Sequence, residues 1–547
     1  MRFSTLLTLF ASAVPVALAC GRPGLAGVAP AGVRAGTPTV DTLTLRAAAS
    51  FLASDALRGR GTGTEGGRAA AAYLAAECRR LGLAPLTDTG YAQDLPLTQA
   101  TIVPEATTVR ITGPGVDTTF VHWEDFIPDV GTGQTLRGFS GELAYVGRAQ
   151  EILFRRSDLP PLQGKVALLR SEFGRDGEAA DTLFARGAVG VIQVIDDARR
   201  YRLFRQTRGE SRLYLSDPTV RSSFIPPLPS VLAGPRMTVT LYQPLTGVGS
   251  GSWNDAYLNG LAAGLPSPRE LPGWRAEVKV GTRTRPAHAS NVACVLPGRD
   301  AEAGRAIVVS AHYDHLGTGA PNADGDSIYN GFSDNAAGVA MALGIGEAFA
   351  RERRARDGGG LRHSLILFFS TGEEHGLLGS DYFVTHPLWP LRRVAGVINL
   401  DAIAPAARPR SWRIAGEEGS ALVELVRQEA AREGWEATLA QPSPGSDYYP
   451  FVRHGVPAVF FVPGDGPYEG LSVTTSDSLR SALWGRYHMP NDEWDEHFPF
   501  EGLGRYADFA IEVIRRRDAS CRAEGCKRAT AYRPSSGMSR TGPGGSR

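Results

Sequence analysis

Hydrophobic and polar positions follow three different rhythms along the chain, and the changes of rhythm divide it. Over residues 41–82, apolar positions recur every three to four residues in DTLTLRAAASFLASDAL and EGGRAAAAYLAAECRRLG, which predicts two helices joined by Arg58-Gly-Arg-Gly-Thr-Gly-Thr. From about 106 to 275 the runs shorten. TTVRITG, GELAYVG, GKVALLR, GAVGVIQV and PSVLAG lie between Gly, Pro and Asp and predict strands, with DTLFARG a short helix before GVIQV and 253–268 a loop. A further strand is expected over 276–284. From 289 onward the apolar runs become unbroken: NVACVLPG, AIVVSAH, SLILFFSTGEE, VAGVINLDAI and AVFFVPG. Such runs suit parallel strands covered on both faces. Helical patterns lie between them over 336–356, stopped by Gly358-Gly359-Gly360, over 376–385, stopped by Pro387, and over 420–432, with a last one over 502–517. The expected class is α/β: a mixed, mainly parallel central sheet flanked by helices and interrupted by a β-rich insert.

Length and charge narrow this picture. A chain of 547 residues exceeds one hydrophobic core and is expected to hold two domains plus tails. Its 58 basic and 57 acidic residues give no polybasic surface, so no nucleic-acid partner is expected. The start reads as a signal peptide over 1–19: Arg2, an apolar Leu6 to Leu18, and Ala17-Leu18-Ala19 as a small-x-small cleavage site. Export follows as an expectation, secreted or periplasmic. Cys20, directly after the site, suits a lipid anchor to the cell envelope as well as it suits simple secretion. Residues 20–40 are Gly/Ala/Pro-rich and read as a linker, and 527–547 as a disordered tail. Cys521 and Cys526 are spaced to close a small loop, whereas Cys78 and Cys294 sit in apolar contexts expected of buried thiols.

Chemistry enters at the strand ends. AIVVSA runs into His312, with Asp314 and His315 after it; LILFFSTG runs into Glu373-Glu374; VINL runs into Asp401. In open α/β sheets ligands bind beyond the carboxyl ends of the strands, so three strands aim nitrogen and oxygen ligands at one crevice. Asp334 arrives from the loop after the first strand, and His488 from YHMPND. Two imidazoles and three carboxylates exceed one tetrahedral zinc. With Asp334 as a bridge, each of two zinc ions receives three protein groups and keeps an open position. Asp334 also reads as a helix cap, a role compatible with ligation, and Glu373-Glu374 have a rival reading as helix-start acids, against which the preceding buried strand argues.

HYDHLG, GFSDNAAG, STGEEHGLLGS, NLDAI and YHMPNDEWD, in this order, resemble the signature motifs of the co-catalytic two-zinc aminopeptidase family that includes secreted bacterial leucyl aminopeptidases. The resemblance covers 41–105 and 280–520 as a zinc peptidase domain. The insert over 106–279 resembles a protease-associated domain. The resemblance implies a zinc exopeptidase-like fold, with His312, Asp334 and Asp401 holding one zinc and Asp334, Glu374 and His488 the other. Asp314 resembles the carboxylate that orients the first ligand, Glu373 the general base, and Tyr487 a phenol that some members direct at the oxyanion. The expected function is an exported aminopeptidase that hydrolyses N-terminal peptide bonds of peptides or proteins with a metal-bridged water and Glu373 as base. Rival readings are a carboxypeptidase or other amide hydrolase with the same centre, and a receptor-like protein on this fold, against which the intact ligand set argues.

Several tempting groups take plain readings. His315, His375 and His454 find no ligand vacancy and are expected to be structural. Ser446-Asp447 read as a cap ahead of YYPF. The 322–326 run lacks the downstream glutamate of a calcium loop. Ser370 and Ser380 are outside any Gly-x-Ser-x-Gly, and the Arg58–Thr64 link lacks the Gly-Lys-Ser/Thr ending of a phosphate loop.

Overall fold

The runs that end in candidate ligands are neighbouring strands of one sheet. In the computed structural model, residues 40–129, 138–154, 158–172, 176–208, 211–224, 228–248, 254–299, 301–355, 360–401 and 404–520 are described. The expected signal peptide, Cys20, the body of the linker, Cys521, Cys526 and the tail lie outside them.

At the centre of the first sheet, Ala306–His312 pairs in parallel with Ser364–Ser370 on one side and with Val394–Asn399 on the other, and the latter pairs in parallel with Ala458–Pro463. Alternation splits these strands between two layers. Ile307, Val309, Leu365 and Leu367 face a core shared with the helices Thr42–Leu52, Ala337–Ala355 and Glu501–Ser520, while Val308, Ile366 and Phe368 face Leu378–Thr385 and Tyr448–Arg453. With helices on both faces, every position of the inner strands is buried, which is why these runs are apolar throughout.

Toward the edges the sheet turns antiparallel. The NVACVLPG run belongs to a longer strand, Thr282–Leu296, that pairs antiparallel with both Ser364–Ser370 and Ala92–Ile102. Its apolar second half satisfies the pattern of a buried strand without fixing direction. Ser411–Gly416 pairs antiparallel with Ala458–Pro463 and parallel with Glu436–Ala440 at the far edge.

A second sheet of eight strands draws all its strands from 106–279, among them Thr108–Gly113, Phe139–Arg148, Val166–Arg170, Gly190–Val194 and Ser230–Ala233, the five short runs of the sequence. The first five residues of DTLFARG close the helix Asp176–Ala185, and Arg186 and Gly187 lie beyond its end. The loop expected over 253–268 contains a helix, Asp255–Ala263, whose entry is capped by Asn254 accepting from the Tyr257 amide at 2.8 Å. One strand of this segment leaves its sheet: Ser211–Leu215 pairs with Ala92–Ile102 and forms the edge of the first sheet.

Cys78 and Cys294, expected as thiols, form a disulfide. Both are buried, as their apolar contexts require. The helix Glu65–Leu81 packs on the strand Thr282–Leu296, and that packing brings two cysteines 216 residues apart to a Cα separation of 6.2 Å. No described helix is long and apolar enough to cross a membrane.

Candidate metal centre

The parallel register sets the site. His312 lies opposite Ser370 and Ser310 opposite Asn399, so Glu373-Glu374 and Asp401 emerge just beyond the same ends. The main chain continues the ladder past the strands, with the Tyr313 amide donating to Ser370 and the Leu400 amide to Ser310. Asp334 is delivered by a tight turn over Phe332–Ala336. Gly331 enters this turn at φ 59°, where a Cβ would lie 2.2 Å from the Asp334 carbonyl oxygen and 2.5 Å from the His315 ring, so only glycine fits. The capping duty expected of Asp334 falls to its neighbour: Asn335 Oδ1 accepts the Gly338 amide at 3.0 Å. Asp334 keeps both carboxylate oxygens for the cleft.

Those two oxygens face different partners. Oδ1 lies 3.1 Å from His312 Nε2, which is itself 3.4 Å from Asp401 Oδ1. Oδ2 lies 3.0 Å from His488 Nε2, which is 3.2 Å from Glu374 Oε2. His488 Nε2 is buried yet forms no hydrogen bond despite these approaches. A buried ring nitrogen set among carboxylate oxygens is an arrangement a cation satisfies, and mixed nitrogen and oxygen donors suit zinc. The residues present therefore fit two metal ions sharing Asp334.

His315, expected to stand apart, lies inside the site. Its Nδ1 is 2.6 Å from Glu374 Oε1 and 3.9 Å from Asp334 Oδ2. It thus engages the Glu374 oxygen that points away from His488. Asp314 is buried. The near partner of His312 Nδ1 is the Asp314 carbonyl at 3.1 Å, with the carboxylate at 3.8 Å. That carboxylate instead accepts the Thr62 hydroxyl at 2.7 Å and the Glu373 amide at 3.3 Å. Tyr487 stacks its ring on His488 at 3.9 Å between centroids and is 44% exposed.

The adjacent glutamates differ electrostatically. Burial raises the Glu373 pKa, and the carboxylates of Glu374 and Asp401 outweigh His312 in holding it well above the usual range. Burial acts on Glu374 too, but His488 and His315 prevail and bring it down to about 2. Glu374 is fixed as an anion while Glu373 is a carboxylate with appetite for a proton. For His312, burial opposes the charged ring, yet Asp401, Glu373 and Asp334 hold its pKa well above the usual value.

Residues 291–514 match the model of Peptidase family M28. That segment is similar to the M28 peptidases over 224 of the 547 residues. It holds every predicted ligand and both glutamates. A probable zinc metalloprotease of Pyricularia oryzae is 32% identical over 187 residues, covering 32% of this chain and 34% of the relative. A vacuolar membrane protease of Tuber melanosporum is 25% identical over 191 residues, covering 34% of this chain and 18% of the relative. The chain thus spans about a third or less of either relative. Among solved structures, an aminopeptidase from Aneurinibacillus sp. strain AM-1 superposes with a TM-score of 0.50 at 18% identity, covering 88% of this chain and 95% of that one, a likeness of fold.

Around the candidate ligands stand groups that the sequence did not single out. Asp492, four residues after His488, accepts the Ser333 amide at 3.0 Å and the Asp334 amide at 3.2 Å and so anchors the turn carrying the shared carboxylate. Its place inside YHMPNDEWD was the available signal. Ser446 is no cap: it accepts from Asn399 Nδ2 at 2.6 Å and donates to Asp401 Oδ2 at 2.5 Å, leaving Asp401 Oδ1 toward His312. Asp447 caps nothing with its side chain and instead accepts the hydroxyls of Ser370 and Ser380. His375 accepts the Leu213 amide at 3.5 Å, and His454 Nδ1 lies 2.9 Å from the Pro450 carbonyl, so each ring has a main-chain partner outside the ligand set. In the 322–326 run, Asn322 Oδ1 accepts the Asp324 and Asp326 amides, so this oxygen serves a turn.

Proposed function

We propose that the protein is an exported zinc-dependent aminopeptidase with two zinc ions at the M28 centre. The observation that carries the reading is the division of Asp334: one oxygen toward His312 and Asp401, the other toward His488 and Glu374. Bound there, the ions would supply Lewis acidity and a water of lowered pKa. His312, Asp334 and Asp401 would hold one ion, and Asp334, Glu374 and His488 the other. Glu373 accepts the proton of the attacking water and passes it to the leaving amine, a role its raised pKa suits. Asp314, hydrogen-bonded to the Glu373 amide, keeps that base in place. Tyr487 is assigned the oxyanion-facing phenol.

Exopeptidase action follows from charge: the free amine of a substrate would meet Glu373 and Asp401. A solved structure of like fold is an aminopeptidase, which supports the choice. Export is supported by the apolar start and by the buried Cys78–Cys294 disulfide, a bond kept in oxidising compartments. We assign 41–105 and 280–520 to the peptidase and 106–279 to the insert.

The decisive experiment compares free and N-blocked peptides with wild type and Glu373→Ala, alongside zinc analysis. Cleavage confined to free N-termini, abolished in the variant, with two zinc ions per chain, is expected. Equal cleavage of blocked peptides would shift the reading to a carboxypeptidase or another amide hydrolase. One tightly bound ion at saturation would remove the shared role of Asp334. The mass of the exported protein decides whether Cys20 carries lipid.

A further inference from the structure

The link Arg58–Thr64, outside the M28 match and without a phosphate-loop signature, runs beneath the metal centre. Arg60 is wholly buried, and its guanidinium donates to four main-chain carbonyls: Nε to Tyr313 at 2.8 Å, Nη1 to Leu52 and to Asn330 at 2.5 Å each, and Nη2 to Gly331 at 2.9 Å. Tyr313 follows His312 directly; Gly331 lies three residues before Asp334. Between them the chain leaves the site through the small ladder of Gly317–Thr318 with Ile328–Tyr329. The separation of the two ligands is therefore not set by the strand. One rigid planar fork with five donors holds both arms.

The rest of the link serves the same purpose. Gly59, at φ 70°, lies so close to the arms that a Cβ would sit 2.3 Å from the Gly317 carbonyl oxygen and 2.4 Å from that of Tyr329. The Arg60 carbonyl accepts the His315 amide at 3.4 Å. Thr62 donates to Asp314 Oδ2 at 2.7 Å, and the other oxygen of that carboxylate faces the Glu373 amide. Burying a guanidinium costs free energy and lowers its pKa to about 10, against the pull of Asp334, Asp314, Asp492 and Glu374. The cation lies under a cluster of carboxylates that it does not ligate directly, so its geometry is spent on the main chain.

We propose that Arg60 and Thr62 are positioning residues of the metal centre: Arg60 fixes His312 against Asp334, and Thr62 fixes Asp314 against Glu373. This rests on the two-metal reading above. Cobalt(II) added to metal-free full-length protein tests both, through stoichiometry, affinity and visible absorption, with folding followed by circular dichroism. Wild type is expected to take two ions. In Arg60→Lys, a single ammonium cannot span both arms, so one ion should bind roughly 10- to 100-fold more weakly with an altered spectrum. Thr62→Val, nearly isosteric, should shift the spectrum, and Thr62→Ser, which keeps the hydroxyl, should restore it. Wild-type affinity and spectrum in folded Arg60→Lys overturn the role of Arg60; the same in Thr62→Val overturns that of Thr62. Should Arg60→Lys fail to fold, Arg60→Gln, which keeps an amide donor but cannot span both arms, is measured in its place, and wild-type affinity and spectrum there overturn the role of Arg60. Fewer than two ions in wild type itself refutes the two-metal reading instead.

Discussion

Glu373 and Glu374 are chemically identical neighbours with opposite electrostatics, and the difference lies in what surrounds each carboxylate. Glu374 sits between two imidazoles, whereas at Glu373 burial and the carboxylates of Glu374, Asp401 and Asp447 together outweigh His312. Glu373→Gln keeps size and polarity but cannot take a proton. It should lower kcat by roughly 10²- to 10⁴-fold with zinc content unchanged, measured by steady-state kinetics beside metal analysis. Glu374→Gln should instead lose metal. Wild-type turnover in Glu373→Gln would remove it as the base. Asp492 makes a related point. It holds the amides of Ser333 and Asp334, so Asp492→Ala should weaken metal binding roughly 10- to 100-fold in a chelator competition assay.

At the scale of elements, the strap that follows 210 joins the two sheets. Ser211–Leu215 adds an edge to the first sheet, Leu213 donates to His375 beside the glutamate pair, and the chain then passes over Leu378–Thr385. There Asp381 accepts the Ser223 amide at 2.7 Å and the Ser223 hydroxyl at 2.5 Å. Burial pushes the Asp381 pKa up to about 7. An unfolded aspartate titrates near ~3.9. The folded chain therefore holds the proton more tightly, and this group's contribution to stability is complete below the unfolded value and lost as pH rises through about 7. Asp381→Asn cannot titrate. Urea unfolding from pH 4.5 to 8 should show wild-type stability falling relative to this variant across the window; a pH-independent difference would show that Asp381 does not titrate there. The strap was not legible as part of the first sheet, because an edge strand of mixed polarity, SRLYL, carries no mark of which sheet it joins. Likewise Val473–Trp484, with only Ser476 buried, offers little amphipathic pattern to read.

For the whole molecule, the disulfide ties the helix Glu65–Leu81 to the strand Thr282–Leu296 across 216 residues of chain that include the entire second sheet. It holds the N-terminal helices, and with them the Arg58–Thr64 link, against the strands that carry the ligands. Replacing both cysteines by Ala should cost about 2–5 kcal/mol, read from urea unfolding under oxidising conditions. Wild type under reductant should approach the double variant. Equal stability of the two oxidised proteins would mean the bond contributes nothing to the fold.

The sequence by itself determined the strands that are buried on both faces, since only apolar residues can fill such positions, and it determined the ligand types at their ends. It thereby reached His312, Asp334, Glu373, Glu374, Asp401 and His488 as one constellation. Tertiary structure decided what depends on contacts between distant segments: that Cys78 meets Cys294, that Thr282–Leu296 runs antiparallel, and that Ser446 and Asp492 orient Asp401 and Asp334. It also decided that His315 belongs to the site, and that Arg60 lies under it. Arg60 and Asp492 act on main-chain carbonyls and amides, which every residue possesses, and Ser446 and His315 act on carboxylates supplied by distant segments. No residue type announces them, and only the folded geometry shows which ones converge.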